Sequence, residues 1–566
     1  MRLARTAFTS ARILAAAIAC VAALHALPAR GLQGTAAFRI AGRVVNGGEQ
    51  PIAGATVRAL RLDAGGSDRV QRTTDERGAF SFDGLAAGWY GLNVIARDYP
   101  IVEYGAARPG GMGTPIVLDA SHAGIDNLTV RLPPMTELSG TVRQSDGSPM
   151  GRVRVEALSR AIDTRGRTTY ASTGSAATDD RGEYRIDLPA GAYIVRASPP
   201  VAPISPAAEP PGRGAGAAAV SAETPRVGYA AVYYPAARDA DDATVVEIGA
   251  EPRAGVDVLV SPVPFARVEG RIDVVGPALA STTVALRAVD ARGLAGAPMG
   301  APRVEGSGFV IADVPPGRYQ LQARGSRPDG TSVAATTGVT IGVGQDVVTA
   351  NLVLAPAARV TGRATFDGDG APPAAIRLGL YDVSGADVPR TTAGATIGGD
   401  GTVVFTGVEP GAYRAQVASL PDDRPTWLLS SVRVDGRETV DASFDVSPGG
   451  DVHLDLGFTN RLGSLTGTVR GPDNAPAAGA TVIVFPEDRA LWPTAFRHVV
   501  AARPAAGGEF LIDRLLPGQY RVAAVPDPLR NEWFVPSFLE GLAARSVPVT
   551  IARGAPARLD LVAGGR

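Results

Sequence analysis

The chain has 566 residues, room for about four domains of about 150 residues, with 69 glycines, 45 prolines, 20% charged and 45% hydrophobic residues. That composition excludes a disordered tail and a membrane bundle and points to a globular, turn-rich polymer. Lysine is absent, so all 55 basic residues are arginine, and the net charge of -1 excludes a phosphate-neutralising nucleic-acid binder.

The first thirty residues read as an export signal. Arg2, Arg5 and Arg12 make a basic start, Ile13 to Leu27 is apolar, and Ala29-Arg30-Gly31 fits a small-residue cleavage site, giving a signal peptide over 1–31. The apolar run is shorter than the about 20 residues a membrane-spanning helix needs, and no later stretch is long and apolar enough. The expectation is a secreted or periplasmic chain that does not span a membrane. Cys20, the sole cysteine, lies inside this segment. Ala17-Ile18-Ala19-Cys20 loosely resembles a lipid-attachment box, but the residues after it stay apolar to Leu27, so lipid anchoring is the lesser expectation. Without Cys20 the exported chain has no disulfide and no thiolate metal site.

From residue 38 onward two markers recur five times in the same order. The first is a strand opening built around glycine: Ile40-Ala41-Gly42-Arg43-Val44, then the equivalents at Gly140, Gly270, Gly362 and Gly467. The second is Gly-x-Tyr, at Gly88/Tyr90, Gly191/Tyr193, Gly317/Tyr319, Gly411/Tyr413 and Gly518/Tyr520. The separation from opening glycine to tyrosine stays between 48 and 53 residues while the copies themselves lie 92 to 130 apart, so the core is fixed and the loops vary. Between the markers the pattern alternates in period two, as half-buried strands do. Thr56 to Leu60 alternates, Thr74-Asp75-Glu76-Arg77-Gly78 turns the chain, and Phe80 and Phe82 point inward. Tyr184/Ile186, Phe309/Ile311, Val403/Phe405 and Phe510/Ile512 repeat that pair. The tyrosine is expected to pack inward and bond its hydroxyl across the corner, as tyrosine corners do.

Many short strands with almost no helical period make an all-β chain of five tandem β-sandwiches. The expected boundaries are 38–134, 136–262, 266–356, 358–461 and 463–564, with a disordered Pro-, Ala- and Gly-rich insert at about 199–226 in the second. Each unit is large enough to bury its own core, and the links are short, so the expected shape is a stiff string of beads. A straight string of five would reach roughly 200 Å.

The strand opening, Gly54-Ala55-Thr56-Val57, Thr74-Asp75-Glu76-Arg77-Gly78-Ala79-Phe80-Ser81-Phe82 and Gly88-Trp89-Tyr90 resemble the bacterial carboxypeptidase regulatory-like domain. The resemblance extends to copies two and five and is weaker in copies three and four; in copy three Ser307 replaces the turn glycine. It implies a transthyretin-like sandwich, grouped with starch-binding-like and collagen-adhesin B-type modules. Relatives of this kind serve as accessories to zinc peptidases, but the exported chain has only His122, His453 and His498 and no segment left over for a catalytic domain. The pilin-type relatives close a Lys–Asn isopeptide bond, which a chain without lysine cannot form.

The candidates for chemistry are few. No Gly-x-Ser-x-Gly, His-Glu-x-x-His or P-loop pattern occurs. Asp451, His453 and Asp455 share a strand face that could ligate a metal or simply face water. Asp367-Gly368-Asp369-Gly370 begins like a calcium loop but has Ala371 and Leu378 where ligands are needed, and Asp239, Asp241 and Asp242 form a similar acidic tip. Trp427, Trp492 and Trp533 are the candidate sugar-binding residues, since flat exposed aromatic rings stack on sugars; Trp89, Tyr233 and Tyr234 are further aromatics. Trp492 and Trp533 fall in loops of the last copy and could form one platform beside a short amphipathic stretch, Ser537 to Ala544. The resulting expectation is a non-enzymatic exported scaffold or binding protein without cofactor or metal, its partner an unidentified polysaccharide or envelope protein. The alternatives are a carbohydrate-binding protein using the loop tryptophans and, less favoured, a peptidase accessory.

Overall fold

The computed structural model describes residues 38–63, 69–122, 124–200, 226–289, 295–383, 393–419 and 426–564. The export segment with Cys20, and nearly all of the insert at 199–226, lie outside the described residues. The alternating segments are strands, and the described residues are all-β apart from short helical turns in the last unit.

The first unit sets the plan. Its opening strand Phe38–Asn46 lies at the centre of one sheet, antiparallel to Ala79–Leu85 on one side and parallel to Gly124–Leu132 on the other. The facing sheet orders Arg69–Thr73, Thr56–Arg61 and Gly88–Ile95, with Val102–Glu103 and Ile116–Leu118 on its far edge. Gly88–Ile95 buries alternate residues, and Tyr90, Leu92 and Val94 meet Ile40, Val44, Phe80 and Phe82 between the sheets. The opening strands Thr136–Gln144, Ala266–Val274, Ala358–Asp367 and Gly463–Arg470 take the same central place, each with an antiparallel and a parallel neighbour. Among the described residues, five large cores follow one another along the chain, within 38–132, 138–260, 266–354, 358–458 and 465–561. In the third unit, Val333 and Ala334 pair with Pro356 and Ala355, which joins its two sheets into one.

The opening glycine recurs because a carbonyl occupies the space of its side chain. A Cβ built on Gly42, Gly140, Gly270 or Gly467 would lie 2.3, 2.1, 1.9 and 1.8 Å from the carbonyl oxygens of Leu128, Val256, Ala350 and Leu559, respectively. These oxygens belong to the parallel closing strand, whose ladder is irregular beside the glycine in those four units. In the fourth unit the ladder runs unbroken from Arg359↔Asp451 to Asp367↔Thr459, and the Leu454 oxygen stands back at 3.0 Å from the corresponding position on Gly362.

Each corner tyrosine donates to the carbonyl four residues before it: Tyr90 to Ala86 (2.9 Å), Tyr193 to Pro189 (2.8 Å), Tyr319 to Pro315 (2.6 Å), Tyr413 to Glu409 (2.8 Å) and Tyr520 to Leu516 (2.9 Å). Burial, with Asp441 adding to it, pushes the Tyr520 phenol up to about 12. Replacing Tyr319 by Phe removes the donor and keeps the packed ring, so it should cost about 1 kcal/mol in denaturant unfolding with the fold intact. At its turn the weaker third copy keeps the backbone bond of the others. Gly306 takes the left-handed conformation there (φ 60°), and the Ser307 carbonyl accepts from Ile272 N–H at 2.7 Å, as the Gly78 carbonyl does from Val44 at 2.8 Å.

The string-of-beads expectation is overturned. The last domain touches the first, the second and the fourth, so the chain folds back on itself. The cause is a helical insertion in the last domain, comprising Arg489–Arg497, Glu532–Phe534 and Pro536–Ala543. It packs on the outer face of Ala480–Pro486 and Gly518–Pro526, making a second core of Ile483, Phe485, Val499, Ala523, Val525, Leu539 and Leu542.

Candidate functional site

That second core contains two of the three tryptophans expected to bind sugar. Trp492 and Trp533 do lie in one cluster, but it is a buried one, at 3% and 6% exposure. The Trp492 ring stands edge-on to Phe485 at 6.0 Å, its indole N–H donates to the Pro486 carbonyl at 3.0 Å, and Arg489 covers it at 5.3 Å. Trp427 sits in the fourth core, 2% exposed and edge-on to Phe366 at 5.4 Å. All three rings are covered, because each belongs to the apolar layer that the insertion or the sandwich encloses. Trp89, Tyr233 and Tyr234 are half-buried.

The acidic candidates serve local structure. Asp451, His453 and Asp455 project from the solvent face of Asp451–Thr459, opposite buried Leu454 and Leu456, and His453 Nδ1 lies 3.1 Å from the Thr361 hydroxyl. Asp369 is braced by Asn460, which donates to its carbonyl at 2.6 Å and accepts from its N–H at 3.1 Å. The Asp367 carboxylate pairs with Arg461 and Arg553. Asp241 accepts from the Tyr170 hydroxyl at 3.1 Å. Among the described residues no group of three or more His, Cys, Asp or Glu side chains could hold a metal ion. No helix there is long and apolar enough to cross a membrane.

Polar chemistry concentrates instead at the seams of the last domain. Against the fourth domain it encloses a cleft of about 510 Å³ lined by Asp367, Ser430, Asp441, Arg497, His498 and Tyr520 among others. Asp441 is the centre of this seam: His498 Nε2 lies 2.9 Å from its Oδ1, and Arg497 Nε lies 3.2 Å from the same oxygen. Arg497 also donates to the carbonyls of Leu429 (3.0 Å) and Val440 (3.3 Å) across the seam. Burial works to raise the Asp441 pKa, but the His498 hydrogen bond and the Arg497 charge outweigh it and hold the carboxylate below its ordinary range. Burial pulls the Arg497 guanidinium down. The Ser430 hydroxyl in this cleft donates to the Gly457 carbonyl at 3.0 Å. A carboxylate whose folded pKa is depressed gives stability above its unfolded pKa and loses it as pH falls through the folded one. The domain 4–5 seam should therefore loosen below about pH 4. Asp441→Asn should weaken it at neutral pH and flatten that acid limb, as read by hydrogen exchange at 428–434 and 489–499.

Two further seams complete the closure. Arg108 of domain one reaches Asp527 Oδ2 at 2.6 Å and the Pro528 carbonyl at 2.5 Å, while buried Arg503 holds Asp527 Oδ1 at 3.0 Å. Arg530 pairs with Glu103 at 3.0 Å, and Met112 of domain one packs on the second core. From domain two, the Ile162 carbonyl accepts from Asn531 at 2.9 Å, and a Cβ on Gly166 would come 2.4 Å from the Phe534 oxygen. Arg165, at the tip of the same hairpin, lies 5.7 Å over the Tyr381 ring of domain four. None of Asp441, Asp527, Arg108 or Glu103 stands out in the sequence. The one available signal is Ala480–Pro486, in which Val482–Pro486 is an unbroken apolar run and every residue is buried, which marks a strand covered on both faces.

Residues 39–114 match the carboxypeptidase regulatory-like domain, so the first sandwich is a domain of that kind. No curated protein matches the chain. Solved structures similar to it include the minor pilin GBS52 of Streptococcus agalactiae, 13% identical over 36% of this chain and 94% of that one, TM-score 0.21. The shaft pilin SpaA of Lactobacillus rhamnosus GG is 12% identical over 40% and 98%, TM-score 0.19. The major pilin subunit BcpA of Bacillus cereus, as its D312A variant, is 10% identical over 75% and 99%, TM-score 0.14.

Proposed function

We propose that the chain is an exported, non-catalytic scaffold of the cell envelope or exterior, whose five sandwiches are keyed into one folded-back body by the last domain. The observation that supports this most is where the polar side chains go. Asp441, His498, Arg497, Asp527 and Arg503 bind one another and backbone carbonyls at domain seams, and so fix the placement of domains. The first domain's kinship with a regulatory rather than a catalytic module is in keeping with this reading. The work of the protein is then to hold its exposed loops and sheet edges in a fixed arrangement toward an envelope partner.

The carbohydrate alternative depended on exposed tryptophans. With three of the four indoles buried, emission should be blue-shifted, weakly quenched by acrylamide and unchanged by soluble glycans. A pull-down of residues 32–566 on insoluble polysaccharides tests the point directly. The scaffold reading expects no retention; retention that is abolished by Trp492→Phe/Trp533→Phe in a folded chain would overturn it in favour of sugar binding.

A further inference from the structure

Two arginines meet at the junction of domains two, four and five without an acid of their own. Arg414 lies in Gly411–Ser419 of domain four, directly across from Tyr381 in the neighbouring strand Arg377–Asp382. Tyr413 and Ala415 on either side of it point into the core, so Arg414 and Tyr381 share the outer face. There Arg165, exposed at the hairpin tip of domain two, covers the Tyr381 ring at 5.7 Å. Among the described residues neither guanidinium makes a hydrogen bond or an ion pair, and the Arg414 Nε is buried with no acceptor. Burial pulls the Arg414 guanidinium down; Asp441 draws it back up, and the like charge of Arg165 lowers it again.

Asp441 is already committed. Its Oδ1 serves His498 at 2.9 Å and Arg497 at 3.2 Å, and the charge of Arg414 opposes that of Arg497. Glu438, which also acts on Arg497, is engaged by the Ser431 hydroxyl and the N–H groups of Val432 and Val440. Three guanidiniums from three domains thus gather about one carboxylate. A half-buried guanidinium without an acceptor is costly, and like charges facing one another across a seam work against its closure. A doubly charged oxyanion removes both penalties. We propose that Arg165 and Arg414 form a binding site for a phosphate group, free or carried on a phosphodiester polymer, with Arg497 adding its charge from domain five. The guanidinium fork matches phosphate oxygens in bidentate fashion, and the surplus of positive charge favours a phosphate over a single carboxylate. The bound group ties the hairpin tip of domain two to domain four. It therefore stabilises the folded-back body by mass action, a body on which the site itself depends.

The probes are inorganic phosphate and dimethyl phosphate, titrated calorimetrically into residues 32–566 at constant ionic strength in phosphate-free buffer. The native chain should bind at one site and unfold at a higher temperature when the site is filled. Arg165→Gln changes an exposed tip and spares the fold; it should weaken binding about tenfold or more, as expected for one charge-assisted bond. Arg414→Gln should weaken it likewise. Without phosphate this variant should be as stable as the native chain or more so, because an unanswered charge is gone; should it fail to fold, Arg165→Gln decides. Binding of both probes supports the site and assigns it to a phosphodiester polymer; binding of inorganic phosphate alone supports it and assigns a free or terminal phosphate. Binding of neither, or binding that both variants retain in full, overturns the site. Small-angle scattering on the same samples separates the two levels. A compact native chain indifferent to phosphate overturns the site and leaves the closure standing, whereas an extended one contradicts the closure as well.

Discussion

Asp527→Asn should be among the most damaging single substitutions in the chain. Asp527 is the shared acceptor of Arg503, whose side chain is 4% exposed, and of Arg108 from the first domain. Removing its charge leaves the buried Arg503 guanidinium with neutral acceptors alone, the amide oxygen and the Ala478 carbonyl at 3.3 Å. Breaking a buried pair on one side costs about 3–5 kcal/mol, because the other charge stays buried and uncompensated. Two results are expected together: lower thermal stability of the last domain, and release of the first domain from its seat. Arg108→Ala is the control that separates them. It should loosen the first domain, which Glu103–Arg530 and Met112 still hold, and leave the last domain's stability nearly unchanged, since Arg108 is partly exposed and such pairs contribute about 0–1 kcal/mol. Hydrogen exchange at 99–113 and 500–527 reads both effects at once.

The second large effect is expected at the opening glycines. Gly467→Val would drive a branched side chain into the Leu559 oxygen, which already lies 1.8 Å from where a Cβ would sit. The obstacle is backbone in a packed sheet, so either the parallel closing strand leaves its place or the opening strand shifts. Overpacking a core costs about 1–3 kcal/mol where side chains give way, and here the cost should lie at or above the top of that range. Gly270→Val should behave alike. Gly362→Ala should be milder, because its nearest obstacles are the Val403 methyl at 2.9 Å and the Leu454 oxygen at 3.0 Å. Equal losses at all three positions in chemical denaturation would contradict the assignment of the glycine to carbonyl approach.

Much of this architecture was legible in the sequence, for identifiable reasons. Alternation in period two reports one buried face, so the strands carrying Phe80/Phe82 and Phe510/Ile512 could be placed from their residues alone. The Gly-x-Tyr corner is local, its hydroxyl reaching back only four residues, and five copies made it unmistakable. The opening glycine was visible as a marker, but its cause was not, since the carbonyl it accommodates arrives from 80 to 116 residues downstream.

The functional seams were not legible. Arg108 and Asp527 are more than four hundred positions apart, and nothing local distinguishes them from surface charges. The tryptophans misled for a related physical reason. A loop tryptophan reads as exposed when only the sandwich is imagined beneath it. Trp492 and Trp533 are covered because their loop residues build a second apolar layer on a strand buried on both faces. The apolar run Val482–Pro486 carried that information, in the missing alternation rather than in any single residue.

The central claim, that the sandwiches form one folded-back body, is tested most directly by small-angle X-ray scattering of residues 32–566 in dilute solution at low salt. Compact-chain scaling gives a radius of gyration of about 25 Å, and an arrangement of five packed sandwiches should fall at about 25–32 Å. Arg108→Ala/Arg530→Ala should raise it by freeing the first domain. A native radius near 55–60 Å, as expected of a straight string roughly 200 Å long, would contradict the closure and restore the picture of separate beads.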